Sequence, residues 1–285
     1  MRRTIGCLLL TLLLTSCSWS DRVSPGAFEW RARGLAASWQ GSPIDQAWRA
    51  GFVPLAGLDV VPRWERIPAW AALSLHNGAW ALDAELPADS PARVPLRWPD
   101  GSVSEVPLIT AATAYARLSE PADFIDEECP RKGCRRLRMT GVELGETALA
   151  TSRGTIRVPA WHFTAKGIKE RFVVVAVDPS ATTPRPHAVK GGREEVRSFD
   201  PMPGNPNELL VKYGYGSCDR VHGTRAYETD DVVVVDVDEE GSGGMCNLML
   251  LLGRATVTLK RPLGDRVVLD SGSGLPVLRG GRVPF

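Results

Sequence analysis

Apolar positions along this chain follow three patterns. Residues 5–14 form one nearly unbroken apolar run, interrupted only by Gly6 and Thr11. At about ten residues it is too short to cross a hydrocarbon core, which needs ~20 helical residues. Further on, short segments alternate apolar and polar residues, as half-buried strands do. Val94, Leu96 and Trp98 alternate, Pro99-Asp100-Gly101 turns the chain, and 103–109 returns, which predicts a β-hairpin. Asn77-Gly78 lies between Leu73-Ser74-Leu75 and the alternating Trp80, Leu82, Ala84 and Leu86, which predicts a second hairpin with a primed turn. Residues 137–142, 155–164 and 170–177 read as strands, and 172–177 is apolar on both faces, as a central strand would be. Four more strands are expected at 209–215, 225–238, 248–260 and 266–270. Helical signals are few. Ser42 is a candidate N-cap, Pro43 fits the first helical position and Gly51 a stop, predicting a short helix at 43–50.

These elements predict a mainly β, β-rich α+β fold: antiparallel meander modules with a few short helices in a tryptophan-rich amino-terminal region. Residues 27–118 hold seven of the nine tryptophans and read as one α+β domain. Residues 119–190 read as a β-rich module, 191–206 as a Pro/Gly linker, and 207–285 as a second β-rich module. Trp30, Trp39 and Trp48 are nine residues apart, which sets successive rings on opposite sides of a helix. Gly34 and Gly41-Ser42-Pro43 are expected to break such a helix, so core packing is favoured over a sugar-binding platform.

The first apolar run changes meaning once its flanks are read. Arg2 and Arg3 precede it, and Leu14-Thr15-Ser16-Cys17 follows, a lipobox of one branched apolar and two small residues before a cysteine. The expectation is a signal peptide over 1–16, a lipidated tether over 17–26, and a diacylglyceryl anchor on Cys17 at the extracytoplasmic face of a membrane. Removing 1–16 takes away two arginines and no acids. That leaves 32 basic residues (34 − 2) against 33 acidic ones, so no strong field points to nucleic acid.

Cys7 leaves with the signal and Cys17 carries lipid, so Cys129, Cys134, Cys218 and Cys246 remain, an even number in an oxidising compartment. Three pairings are open. Cys129–Cys134 and Cys218–Cys246 are favoured because each lies within one strand-rich module, and by chain entropy they would stabilise by roughly 2 and 3.5 kcal/mol. Zinc is disfavoured, because four residues separate Cys129 from Cys134 and no histidine lies near. No metal or cofactor is expected.

The chain resembles a group of actinobacterial secreted lipoproteins of the streptomycete type. The resemblance rests on the lipobox at Cys17, on Trp48-Arg-Ala-Gly-Phe-Val-Pro-Leu55, Trp98-Pro-Asp-Gly101, Val106-Pro-Leu108, Val158-Pro-Ala-Trp161 and Arg261-Pro-Leu-Gly-Asp-Arg266. It implies an extracytoplasmic globular body and carries over no activity and no catalytic residue.

Candidate chemistry is sparse. Gly214-Tyr-Gly-Ser217-Cys218 lacks the second glycine of a nucleophile elbow. Asp230, Asp231, Asp236, Asp238, Glu239 and Glu240 are the densest acids, but Asp236 and Asp238 alternate with valines as on a half-solvated strand. The cations Arg131, Lys132, Arg135, Arg136 and Arg138 form the sharpest local charge and are a candidate contact for an anionic surface. The sequence therefore reads as a lipid-anchored envelope protein, non-enzymatic, whose partners are the membrane and an envelope protein or wall polymer. The alternative is a wall- or peptide-directed hydrolase, which predicts a pocket where at least two of the acids, or His222 and an acid, converge; Ser217, Asp219 and His222 in one cleft would decide for it.

Overall fold

The computed structural model describes residues 22–60, 62, 66–88, 92–121, 127–241, 246–247 and 249–280. The lipobox and Cys17 lie outside them. The described chain is mostly β and divides into two units, one of residues 22–37 with 188–280, the other of residues within 38–187. Its helices are α1 (Pro25–Trp39), α2 (Pro43–Ala50), α3 (Ala69–His76) and α4 (Ala111–Leu118). The strands run from β1 (Asp59–Val60), β2 (Trp80–Leu82), β3 (Arg93–Arg97) and β4 (Val103–Pro107) to the long hairpin of β5 (Leu137–Thr151) and β6 (Gly154–Ala165), then β7 (Phe172–Val175). Next come β8 (Val196–Met202), β9 (Asn205–Gly216), β10 (Arg220–Glu228), β11 (Val232–Glu240), β12 (Leu250–Thr258), β13 (Val267–Asp270) and β14 (Leu278–Arg279).

In the unit of residues 38–187 a five-stranded sheet runs in the order β1-β7-β6-β5-β2, with β2 parallel to β5 and the other pairs antiparallel. β7 lies inside it, as its two apolar faces require. Phe172, Val174 and Ala176 enter a core shared with Trp161, Phe163 and the helices α3 and α4, while Val175 and Val177 enter a second core with Phe52, Leu96, Trp98 and Val158. The expected hairpin at 94–109 is present as β3–β4.

The expected hairpin around Asn77-Gly78 is not. Residues 69–76 form α3, and Asn77-Gly78 end it. Gly78 (φ 63°) donates its N–H to Leu75 O and Ala79 donates to Ser74 O, the paired bonds of a Schellman cap. The dipeptide that makes a primed turn also makes a helix stop, because both need a residue with positive φ. Ala-rich sequence and burial of Ala71 and Ser74, three apart, decide for the helix.

The unit of residues 22–37 and 188–280 is a sandwich with a helical cover. The sheet β12-β9-β8-β14 and the sheet β10-β11-β13 share one core. Val196, Leu209, Val211 and Tyr213 come from the first; Val233, Val235, Val237 and Val268 come from the second. α1 covers the outer face of β11, the middle strand. Three expectations change here. The presumed linker 191–206 contains β8. The presumed single strand 225–238 is the hairpin β10–β11, turned at Asp230-Asp231, where Thr229 and Val232 exchange hydrogen bonds. Boundaries at 118 and 206 also do not separate the units: β2 pairs with β5, and β8 pairs with β9.

Candidate functional site

The densest chemistry lies in the polar layer between α1 and β11. Alternation along β11 sends Val233, Val235 and Val237 into the sandwich core and Asp236 and Asp238 to the opposite face. That face is buried rather than half-solvated: Asp236 is 1% and Asp238 8% exposed, because α1 lies over them.

Charge pairing makes this burial tolerable. Asp236 Oδ1 accepts from Arg31 Nη2 at 2.9 Å and from the Ser271 hydroxyl. Its Oδ2 accepts from Arg225 Nε at 2.8 Å and from Arg225 Nη2. Asp238 is gripped by both donors of Arg22, with Nε to Oδ1 at 2.8 Å. The Arg22 contact, above all, holds Asp238 below the usual carboxylate range against the opposing effect of burial. Arg225 also stacks over Phe28 of α1, 5.0 Å from the ring centre.

Beside this layer sits Asp270, 1% exposed and paired with no cation among the described residues. Oδ1 accepts from the backbone N–H of Glu195 and Val196, Oδ2 from the N–H and hydroxyl of Ser273. Burial raises its proton affinity despite these bonds. Glu195 is pushed up to about 8, first by burial and then by the charges of Asp236 and Asp270, against the pull of Arg31. Its Oε2 is buried without a hydrogen-bond partner. Burial and the neighbouring carboxylates thus favour the protonated form of Glu195.

Such a shift often marks a proton donor. A hydrolytic pair, however, also needs a second carboxylate with oxygens to spare. Both oxygens of Asp236 and both of Asp270 are already engaged. Neither aspartate is thereby left free to serve as that second carboxylate. Among the described residues, no group of three or more His, Cys, Asp or Glu is arranged to hold a metal ion.

The residues of the alternative reading do not converge. The Ser217 hydroxyl donates to Asn247 Oδ1. His222 Nε2 meets Glu240 Oε2 at 3.0 Å, and Asp219 Oδ2 accepts the Gly216 N–H at 2.7 Å, closing a turn. Among the other sequence-stressed acids, Asp230 pairs with Arg261 and Glu239 with Arg193.

The basic run is split by its own contacts. Arg135 lies over Trp70 at 3.9 Å, and Arg138 Nε donates to Asp83 at 2.6 Å. Arg131 and Lys132 are exposed on the loop closed by Cys129–Cys134, and Arg136 is exposed two residues beyond it; Arg135 and Arg138 are exposed too, with the contacts just given. Both disulfides form as paired in the sequence, with Cα atoms 5.1 Å apart in Cys129–Cys134 and 6.2 Å apart in Cys218–Cys246.

A cleft of about 510 Å³ opens in the unit of residues 38–187, edged by Phe52, Arg93, Glu105, Pro107 and Thr183. Trp98 reaches it almost wholly buried, its indole N–H donated to the Ser104 hydroxyl at 2.8 Å. That burial leaves no ring face for a sugar to stack on.

Sequence reasoning missed Arg31, Arg225, Glu195 and Asp270. A signal was available for one of them: Asp270-Ser-Gly-Ser273 has the spacing by which an aspartate caps a turn three residues ahead. Arg31 and Arg225 come from segments about 200 residues apart, and no local pattern links them.

Comparison with family models, with curated proteins and with solved structures finds no match. No helix of the described residues is long and apolar enough to cross a membrane.

Proposed function

We propose that this chain is an extracytoplasmic lipoprotein, held at the membrane by a diacylglyceryl group on Cys17, whose β-rich body binds or supports another component of the envelope. The observation that carries the reading is the lipobox Leu14-Thr15-Ser16-Cys17 behind an apolar run of signal-peptide length. Both internal cysteine pairs being bridged supports the same compartment, since thiols are kept reduced in a bacterial cytosol. The engaged oxygens of Asp236 and Asp270, and the separate partners of Ser217, Asp219 and His222, favour a binding or structural role over hydrolysis. On this reading the exposed cations Arg131, Lys132 and Arg136 are where an anionic wall polymer or partner protein makes contact.

Fractionation of the Cys17→Ala variant tests the anchor. The wild type is expected in the membrane fraction, and the variant as released protein or as an unprocessed precursor. A variant that fractionates and migrates like the wild type would overturn the proposal.

A further inference from the structure

α1 is amphipathic in an unusual way. Phe28, Ala32 and Ala36 recur at helical spacing and are buried against the sandwich. On the opposite stripe stand Gly26, Trp30, Arg33, Gly34 and Ala37, all exposed. Trp30 is 80% exposed, the most exposed large apolar side chain among the described residues. Its neighbours three and four positions away are Gly26, Ala27, Arg33 and Gly34, so apart from Arg33 no side chain there is long enough to shelter the ring. The result is a smooth helical surface with one projecting indole and one guanidinium a turn later.

The length of chain before this helix says what meets it. If Cys17 carries lipid, as proposed above, seven residues separate it from Pro25, where α1 begins. Even fully extended they span about 30 Å at most. The Trp30 face is thereby confined to the neighbourhood of the bilayer surface at high effective concentration. An indole is the side chain best suited to the headgroup level, and an arginine beside it can reach lipid phosphates.

We propose that the exposed stripe of α1 lies on the outer leaflet, with Trp30 inserted among the headgroups, so that the protein holds the membrane at two points. This inference rests on the lipid anchor and adds the seat of the folded body to it.

The test uses the full, processed protein in phosphatidylcholine/phosphatidylglycerol vesicles containing lipid brominated near the headgroup. All proteins carry Trp19→Phe, so that the tether contributes no emission. Bromolipid is expected to quench part of the tryptophan emission of the protein with Trp30, and Trp30→Phe is expected to cut the quenched fraction to roughly half or less. Both proteins are expected to float with the vesicles, which reports the anchor separately. Floating protein whose quenching is the same with and without Trp30 overturns the docking and leaves the anchor standing. Floating protein whose emission bromolipid leaves unquenched overturns the docking equally. Failure of the wild type to float overturns anchor and docking together.

Discussion

A carboxylate loses its hydration when it is buried, and it stays ionised only where other groups replace that water. Asp236 receives two guanidiniums and a hydroxyl and fulfils the condition. Glu195 does not, with one oxygen buried and unpartnered and two carboxylates nearby, and it keeps its proton instead. The sign of the pH effect follows. The unfolded chain releases this proton near 4.5 and the folded one near 8, so the folded state holds more protons in between. Stability contributed here is complete below the lower value and is lost as pH rises towards the upper one. Burial pushes Asp270 and Glu239 the same way. Urea unfolding at about pH 5 and about pH 8 should show wild-type stability falling with pH, and Glu195→Gln, which cannot ionise, should flatten the fall. An unchanged slope in the variant would mean that Glu195 is ionised in the folded protein. None of this was legible in the sequence. Asp236 could be seen to alternate with valines, but that pattern gives the face and not whether the face is covered. The cover is Arg22, Phe28 and Arg31, from the other end of the chain.

At the scale of elements, periodicity served where a strand's surroundings are local. The β3–β4 hairpin and the inner strand β7 follow from alternation and turn residues alone. It failed at residues 73–78, where Leu73 and Leu75 fit a strand and Asn77-Gly78 fit its turn, yet the segment is α3 with a glycine cap. Leucine and alanine favour helix, and a positive-φ glycine closes either element. Gly34 was expected to break α1, but a single glycine costs only about 1 kcal/mol and burial of Phe28, Ala32 and Ala36 outweighs it. Gly191-Gly192 resembled a flexible linker, but Gly192 and Gly272 instead let two backbone segments touch. A Cβ on Gly192 would stand 2.5 Å from Gly272 O, and one on Gly272 would strike Arg193 O. Two alanine substitutions separate these roles. Gly272→Ala should lower stability by roughly 1–3 kcal/mol, since backbone cannot move aside as a side chain can. Gly34→Ala, with nothing within 4 Å, should raise it by up to about 1 kcal/mol. Denaturant midpoints measure both; a harmless Gly272→Ala would contradict the close approach.

For the whole molecule, the β-rich class and both disulfide pairings were readable, because each cysteine pair is local to one stretch of strands. The division into units was not. Residues 22–37 join strands that begin more than 150 residues later, and no composition shift announces a helix completing a distant sandwich. Location is the property on which the functional reading depends, and the proposal for it rests on the seventeen residues that end at Cys17. The most direct measurement is mass spectrometry of the amino-terminal peptide of the protein isolated from its native host. The predicted peptide begins at Cys17 and carries the mass of a diacylglyceryl thioether. A peptide that retains residues 1–16, with Cys17 an unmodified thiol, would contradict the account.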